Sequence, residues 1–171
     1  MENSSNKKRI LIVSDTHRNQ EKLKKILKLE NEAGEIDALI HCGDVEGMED
    51  EITRIARCQC YMVAGNNDFF SPLPNEQLID INGVKLWITH GHFHRVSLDL
   101  SYICDEAMHR GVDVVCFGHT HMPLLDKTDG LLLLNPGSVS YPRQQNRTPS
   151  YAIMTIDAQG NMSCEIRYFI S

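Results

Sequence analysis

Two histidines in the segment Gly118-His119-Thr120-His121 follow a short run of valines. Such an apolar, β-branched run predicts a buried strand. Side chains at positions i and i+2 of an extended segment point the same way, so we expect His119 and His121 to face one direction at the strand end. Two converging imidazoles suit a metal ion, although an isolated His-x-His is more often a pair of surface histidines. The other strand ends of the chain therefore decide between these interpretations.

Similar residues follow the other buried-strand patterns of the chain. The complete set of candidate ligands at strand ends is Asp15, His17, Asp44, Asn66, His90, His119 and His121. Oxygen and nitrogen ligands without thiolate suit Mn²⁺, Fe²⁺ or Zn²⁺ rather than Ca²⁺. Seven residues are too many for one catalytic ion with an open position. They fit two ions that share a bridging carboxylate, roughly 3.5–4 Å apart.

Strand and helix patterns alternate in the first part of the chain. Three strand–helix alternations in a row predict right-handed βαβ units and a mostly parallel sheet. Ligand sites of such sheets lie beyond the carboxyl ends of the strands, where the candidate ligands are found. The predicted strands cover residues 9–14, 37–40 and 60–64, and the predicted helices cover residues 21–30 and 48–57.

The second part of the chain carries a hairpin signal and several short strands. Asn82-Gly83 between two apolar runs predicts a tight turn, and the second strand of that hairpin leads to His90. A helix over residues 98–109 is expected to end at Gly111. Further strands are predicted near residues 124, 131–134, 151–156 and 163–169. We expect these strands to form a second, more antiparallel sheet that packs on the first.

Length and composition indicate one ordinary globular domain over residues 1–171, with 23% charged and 42% hydrophobic residues. The net charge of −6 argues against a general nucleic-acid surface. No apolar run is long enough to cross a bilayer, and the polar residues 1–9 do not form a signal peptide. The six cysteines form no Cys-x-x-Cys pair, which favours reduced thiols and a cytoplasmic protein.

Five blocks occur in the order found in calcineurin-like metallophosphoesterases, and the chain resembles that family. The blocks are Asp15-x-His17, Gly43-Asp44, Gly65-Asn66-x-Asp68, Thr89-His90-Gly91-His92 and Gly118-His119-x-His121. The short chain and the segment 135–140 make it similar to the small YfcE-type phosphodiesterases. The resemblance implies an α/β fold, a four-layer αββα sandwich of two mixed sheets.

The same resemblance implies a reaction and a cofactor. A hydroxide that bridges two divalent ions would attack a phosphodiester or an activated phosphomonoester, so the partner is a small phosphate-ester substrate. Mn²⁺ is the expected metal, with Zn²⁺, Fe²⁺ and Ni²⁺ as alternatives. A homodimer is a further expectation.

The resemblance also assigns the ligands. One ion would be held by Asp15, His17, Asp44 and His121. The other would be held by Asp44, as the bridge, with Asn66, His90 and His119. Two of the candidate ligands, taken singly, also have a structural interpretation. Asn66 suits a turn, and Asp44 suits a helix N-cap.

Residues beside the ligands are candidates for a catalytic role. Many relatives have a histidine where this chain has Asn67, which cannot transfer a proton at neutral pH. His92 would be a substitute acid, or it supports the site or lies at the surface. Asp68 would hydrogen-bond a ligand or a neighbouring loop. Among the arginines that flank the blocks, we favour Arg143 for contact with the substrate phosphate.

A second function class remains open at this point. The same fold serves as a retromer sorting subunit in eukaryotes, where surfaces matter and catalysis does not. A scaffold has no need of a filled ligand set at its strand ends, and here all seven positions are filled. A purely structural metal site would close its coordination sphere instead of leaving room for water.

Overall fold

Alternating side chains of the first strand place it between two different layers. The computed structural model describes residues 6–171. Residues 1–5, which begin the segment that we expect not to be a signal peptide, lie outside the described part. In β1 (Lys8–Val13), Ile10 and Ile12 face a second sheet, whereas Leu11 and Val13 face helices. A strand that is apolar on both faces is typical of the centre of such a layered protein.

The first sheet contains β1, β2 (Ala38–His41) and β3 (Gln59–Met62), which run parallel. Two helices connect them and cover the outer face, α1 (Gln20–Ala33) and α2 (Glu49–Ala56). α1 ends at Gly34, where the backbone N–H of Gly34 donates to the Glu30 carbonyl. The alternation of strand and helix predicted from the sequence is confirmed.

The second sheet has five strands in the order β4-β5-β6-β8-β7. The predicted hairpin is formed by β4 (Glu76–Ile81) and β5 (Val84–Thr89), with Asn82 and Gly83 in the left-handed turn conformation. The helix α3 (Ser101–Arg110), ended by Gly111, covers the outer face. The remaining strands are β6 (Val114–Cys116), β7 (Leu124–Thr128) and β8 (Leu131–Asn135).

The expectation of a second, more antiparallel sheet built from the second part of the chain is wrong in two respects. Strands β5, β6 and β8 are parallel to one another. The last strands, β9 (Ser150–Ile156) and β10 (Met162–Tyr168), join the first sheet, because β9 pairs antiparallel with β1. This pairing covers the edge of β1 that β2 leaves free and so satisfies its backbone hydrogen bonds.

Three apolar cores hold four layers together. The central core lies between the sheets, and the two outer cores lie between each sheet and its helices. The predicted α/β sandwich of two mixed sheets, αββα, is therefore confirmed. Within residues 6–171 no helix has the length and apolar character needed to cross a membrane. The loops after β1, β2, β3, β5 and β6 carry all seven candidate ligands.

Candidate metal centre

Four of the candidate ligands form one tight cluster at the carboxyl ends of the strands. One ligand atom from each of Asp15, His17, Asp44 and His121 lies within 4.8 Å of the others. These residues come from the loops after β1, β2 and β6. The cluster is the same set that the family resemblance implies for one of the two ions.

A carboxylate oxygen of the fully buried Asp15 lacks a hydrogen bond. Oδ2 accepts from the Ser14 hydroxyl at 2.6 Å and from the His119 backbone N–H at 3.1 Å. Oδ1 has no hydrogen-bond partner in the described part of the chain. It faces three imidazole Nε2 atoms, those of His121 at 3.1 Å, His17 at 3.8 Å and His90 at 3.9 Å. A buried anionic oxygen in this position is stabilised by a cation placed among these atoms.

Three of the histidines are oriented by their Nδ1 atoms. Each Nδ1 lies 2.7 Å from an acceptor, which is Glu46 Oε1 for His17, the Cys42 carbonyl for His90 and the Tyr141 carbonyl for His121. Because a carbonyl only accepts, Nδ1 of His90 and His121 carries the proton, and the Nε2 lone pair is free in the neutral ring. Metal-binding histidines are fixed in this way.

The other candidate ligands lie directly beside this cluster. Asn66 Oδ1 is 3.0 Å from His90 Nε2 and 3.0 Å from His119 Nδ1. Asp44 Oδ2 is 3.5 Å from His90 Nε2 and 3.6 Å from His17 Nε2, so it lies between the two sets. The structure brings all seven predicted ligands together.

The electrostatics of the centre favour a cation. Burial by itself raises the pKa of Asp15, but contact with His121 and the charges of His90 and His121 lower it to about 2. Burial lowers the pKa of His121, and Asp15 outweighs burial and raises it. For His119, burial and the neighbouring His90 lower the pKa. The Asp15 side of the centre therefore attracts positive charge, and the His119 side keeps a neutral ring that can act as a ligand.

The backbone is strained at the candidate ligands. Five of the seven have positive φ angles, which are 53° for Asp15, 45° for His17, 59° for Asp44, 69° for His119 and 59° for His121. Non-glycine residues rarely adopt this conformation, and such residues concentrate at functional sites. Loop packing leaves no room for extra atoms, because a Cβ at Gly65 would come within 2.2 Å of Asp44 Oδ1.

Asp68 holds two of the ligand loops together. Its carboxylate accepts backbone N–H groups of Asp44 at 2.8 Å, Gly65 at 2.6 Å and Glu46 at 2.5 Å. Both oxygens are thereby used within the protein. Asp68 thus hydrogen-bonds one candidate ligand, Asp44, as well as the neighbouring loop.

Asn67 and His92 lie in different surroundings. Asn67 donates to Asp44 from its backbone N–H at 2.9 Å and from its side-chain amide at 2.8 Å, and it lines a cleft beside the cluster. His92 lies on a 3₁₀ turn (His92–His94), with its ring 5.3 Å from the ring of His90. Burial, and then His90 and His119, lower the pKa of His92 to about 4, so it is uncharged at neutral pH.

The cleft has a volume of about 580 Å³ and opens at the cluster. Arg143, which we predicted to contact phosphate, lies in its wall, whereas Arg18 and Arg95, which also flank motif blocks, do not. The cleft also contains residues that the sequence did not single out, and the full lining is His17, Glu46, Asn67, His121, Tyr141, Pro142, Arg143 and Arg147. Neither Glu46 nor Arg147 belongs to a motif block.

His41 has a structural role. It is fully buried, with Nε2 3.0 Å from the Thr16 hydroxyl and Nδ1 accepting the Gly43 N–H at 3.2 Å. Burial lowers the pKa of His41 to about 4. It braces the loops after β1 and β2 and does not join the cluster.

Comparison with known proteins agrees with the fold. The model of the calcineurin-like phosphoesterase superfamily domain matches residues 9–159. The chain belongs to this superfamily. The probable metallophosphoesterase YsnB of Bacillus subtilis is 39% identical over 161 residues, which are 94% of this chain and 89% of that protein. A phosphodiesterase of Methanocaldococcus jannaschii is 31% identical over 146 residues, covering 75% of this chain and 82% of that protein.

Solved structures show the same fold. A predicted phosphoesterase from Streptococcus pneumoniae superimposes with a TM-score of 0.77 at 26% identity, covering 94% of this chain and 98% of that chain. Vacuolar Protein Sorting 29 from Cryptosporidium parvum superimposes with a TM-score of 0.73 at 18% identity, covering 96% of this chain and 99% of that chain. At that identity the second likeness concerns the fold alone.

Proposed function

We propose that this protein is a dinuclear-metal phosphodiesterase that also accepts activated phosphomonoesters. The observation that carries the proposal is the unpartnered Oδ1 of buried Asp15, surrounded by Nε2 atoms of histidines whose Nδ1 atoms are held elsewhere. Such donors fit a divalent cation. The membership in the phosphoesterase superfamily and the named phosphodiesterase relative support the same activity.

The ligands divide into two sets that share Asp44. Asp15, His17 and His121 would hold one ion with Asp44, and Asn66, His90 and His119 would hold the other. The mixture of carboxylate, amide and imidazole donors favours Mn²⁺, with Zn²⁺, Fe²⁺ and Ni²⁺ as alternatives. When bound, two such ions withdraw charge from a phosphate and lower the pKa of water towards neutrality.

The protein's own groups orient the ligands and the substrate. Glu46 and the carbonyls of Cys42 and Tyr141 fix the imidazoles, and Asp68 fixes the loop of Asp44. Fixed ligands need no reorganisation as charge develops on the phosphate. In the cleft, Arg143 would donate hydrogen bonds to a phosphate oxygen.

Protonation of the leaving group receives little help from the protein. Asn67 donates hydrogen bonds but does not transfer a proton, and its amide is turned to Asp44. His92 is neutral at physiological pH and is not part of the cleft wall. We therefore propose that the alcohol departs largely unprotonated and that esters with acidic alcohols are the better substrates.

A scaffold role is the alternative, since Vacuolar Protein Sorting 29 has the same fold. The filled ligand set and the strained backbone at five of its members favour the enzyme. Strained backbone conformations of this kind cost free energy and are concentrated at functional sites. We also propose that the protein works in the cytoplasm, which suits its six free cysteines, and that it forms a homodimer.

Turnover assays test the proposed activity. The protein, loaded with Mn²⁺, is assayed with bis(para-nitrophenyl) phosphate, para-nitrophenyl phosphate and an alkyl diester. We expect hydrolysis of the aryl diester that a chelator abolishes and added Mn²⁺ restores. A protein that retains its metal and hydrolyses none of these esters would support the scaffold instead.

A further inference from the structure

The cleft beside the metal centre holds two arginines that the metal site does not use. Arg143 and Arg147 both line it, and both side chains are exposed. In the described residues neither guanidinium has a carboxylate within ion-pair distance, whereas Arg9, Arg54 and Arg110 all do. The acidic residue in the cleft wall, Glu46, is already bound to His17 and lies near Arg18.

The backbone presents these two arginines from fixed positions. The N–H of Arg143 donates to the His121 carbonyl at 3.0 Å, which joins Arg143 directly to a residue of the cluster. The N–H of Arg147 donates to the Gln144 carbonyl at 2.9 Å, and the Gln144 side chain donates to the Thr148 carbonyl at 2.6 Å. Arg147 therefore sits on a braced turn, and in the described residues its backbone N–H does not bond to the cluster as that of Arg143 does.

The number of positive charges exceeds what one phosphodiester needs. A diester carries a single negative charge, and the proposed ions already outweigh the two carboxylates of the centre by about two charges. Arg143, beside the cluster, is placed to bind the reacting phosphate. Arg147 has no anion left to bind in such a substrate. A guanidinium without a partner in a cleft is suited to a phosphate or carboxylate of the ligand.

We propose that the substrate carries a second anionic group and that Arg147 binds it. This inference rests on the proposed function and narrows it to esters whose retained alcohol bears a phosphate or a carboxylate. Arg143 and Arg147 then have separate tasks, since Arg143 serves every substrate and Arg147 serves the doubly anionic ones. Arg147 is a specificity-determining residue.

Matched diesters test the proposal. Each has the same para-nitrophenol leaving group and an ethyl, propyl or butyl chain that ends either in a methyl group or in a phosphate. We expect the phosphate-ended diesters to have a kcat/KM about tenfold higher, as one charge-assisted hydrogen-bonded pair provides. In Arg147→Gln this preference is lost while the plain diesters are unaffected. In Arg143→Gln both kinds of diester lose activity equally.

A binding measurement separates this proposal from the proposed activity. Calorimetry compares propyl phosphate with propane bisphosphate on the Mn²⁺-loaded protein, and it needs no turnover. We expect about tenfold tighter binding of the bisphosphate, lost in Arg147→Gln and kept in the control Arg57→Gln, which removes an exposed arginine outside the cleft. A preference for the bisphosphate that survives in Arg147→Gln overturns the proposal. So does a kcat/KM that is no higher for the phosphate-ended diester at any of the three chain lengths. If these ligands bind as expected and no diester is hydrolysed, the proposed activity fails and the anion site remains.

Discussion

Removing the Glu46 carboxylate is expected to weaken metal binding although Glu46 is not itself a ligand. Its Oε1 accepts from Nδ1 of His17 at 2.7 Å, and both side chains are largely buried, with 21% and 14% of their surfaces exposed. The carboxylate holds the ring with Nε2 towards the cluster. Loss of such a partner typically reduces metal affinity by about 10–100-fold, which corresponds to about 1.4–2.7 kcal/mol.

The assay is calorimetric titration of the chelator-treated protein with Mn²⁺. The Mn²⁺ affinity of Glu46→Ala is expected to fall by an amount in that range. The affinity of Glu46→Gln is expected to fall less, because its amide oxygen still accepts the hydrogen bond. Asp50→Ala is the matched control, since it removes an equal charge from an exposed position on α2. Wild-type affinity in Glu46→Ala, or an equal loss in Asp50→Ala, would refute the reasoning that Glu46 acts by orienting His17.

Three further predictions concern packing, pH and the leaving group. Gly118→Ala would bring a Cβ within 2.1 Å of the Ser14 hydroxyl, so we expect thermal unfolding to show a loss of about 1–3 kcal/mol, whereas Gly34→Ala, with no atom nearer than 3.7 Å, should be tolerated. Because the pKa of His41 is about 4 in the fold and 6.5 ordinarily, the unfolded chain binds more protons between these values. His41 alone should therefore lower the stability of the metal-free protein by about 3 kcal/mol between pH 6.5 and pH 4, and urea unfolding of His41→Gln should show a fall that is smaller by about that amount. Asn67→His should raise turnover of alkyl diesters more than that of aryl diesters; equal effects on both would show that residue 67 does not reach the leaving oxygen.

The ligands were predictable because their signals are local. A run of β-branched residues followed by a carboxylate or histidine marks a strand end, and parallel strands bring such ends to one edge. Asp15, Asp44 and His121 were found in this way. The hairpin at Asn82-Gly83 was equally local, since those residue types favour the positive φ that its turn requires.

The remaining features depend on contacts between distant parts of the chain. β9 joins β1 because that edge is free, which no pattern within residues 150–156 reveals. Glu46 reaches His17 across 29 positions of sequence, through a loop whose backbone is itself strained at Glu46. Arg147 lies in a loop without periodicity, and only the fold shows that this loop forms a wall of the cleft.

Metal content per chain tests the central claim, a two-ion site that shares Asp44, most directly. We expect mass spectrometry of the native, Mn²⁺-loaded protein to give two ions per chain, and Asp44→Ala to lose both together with hydrolysis of the aryl diester. His121→Ala, which affects one set of ligands, is expected to keep one ion. Saturation of the wild-type protein at a single ion, or two ions retained in Asp44→Ala, would contradict the shared site.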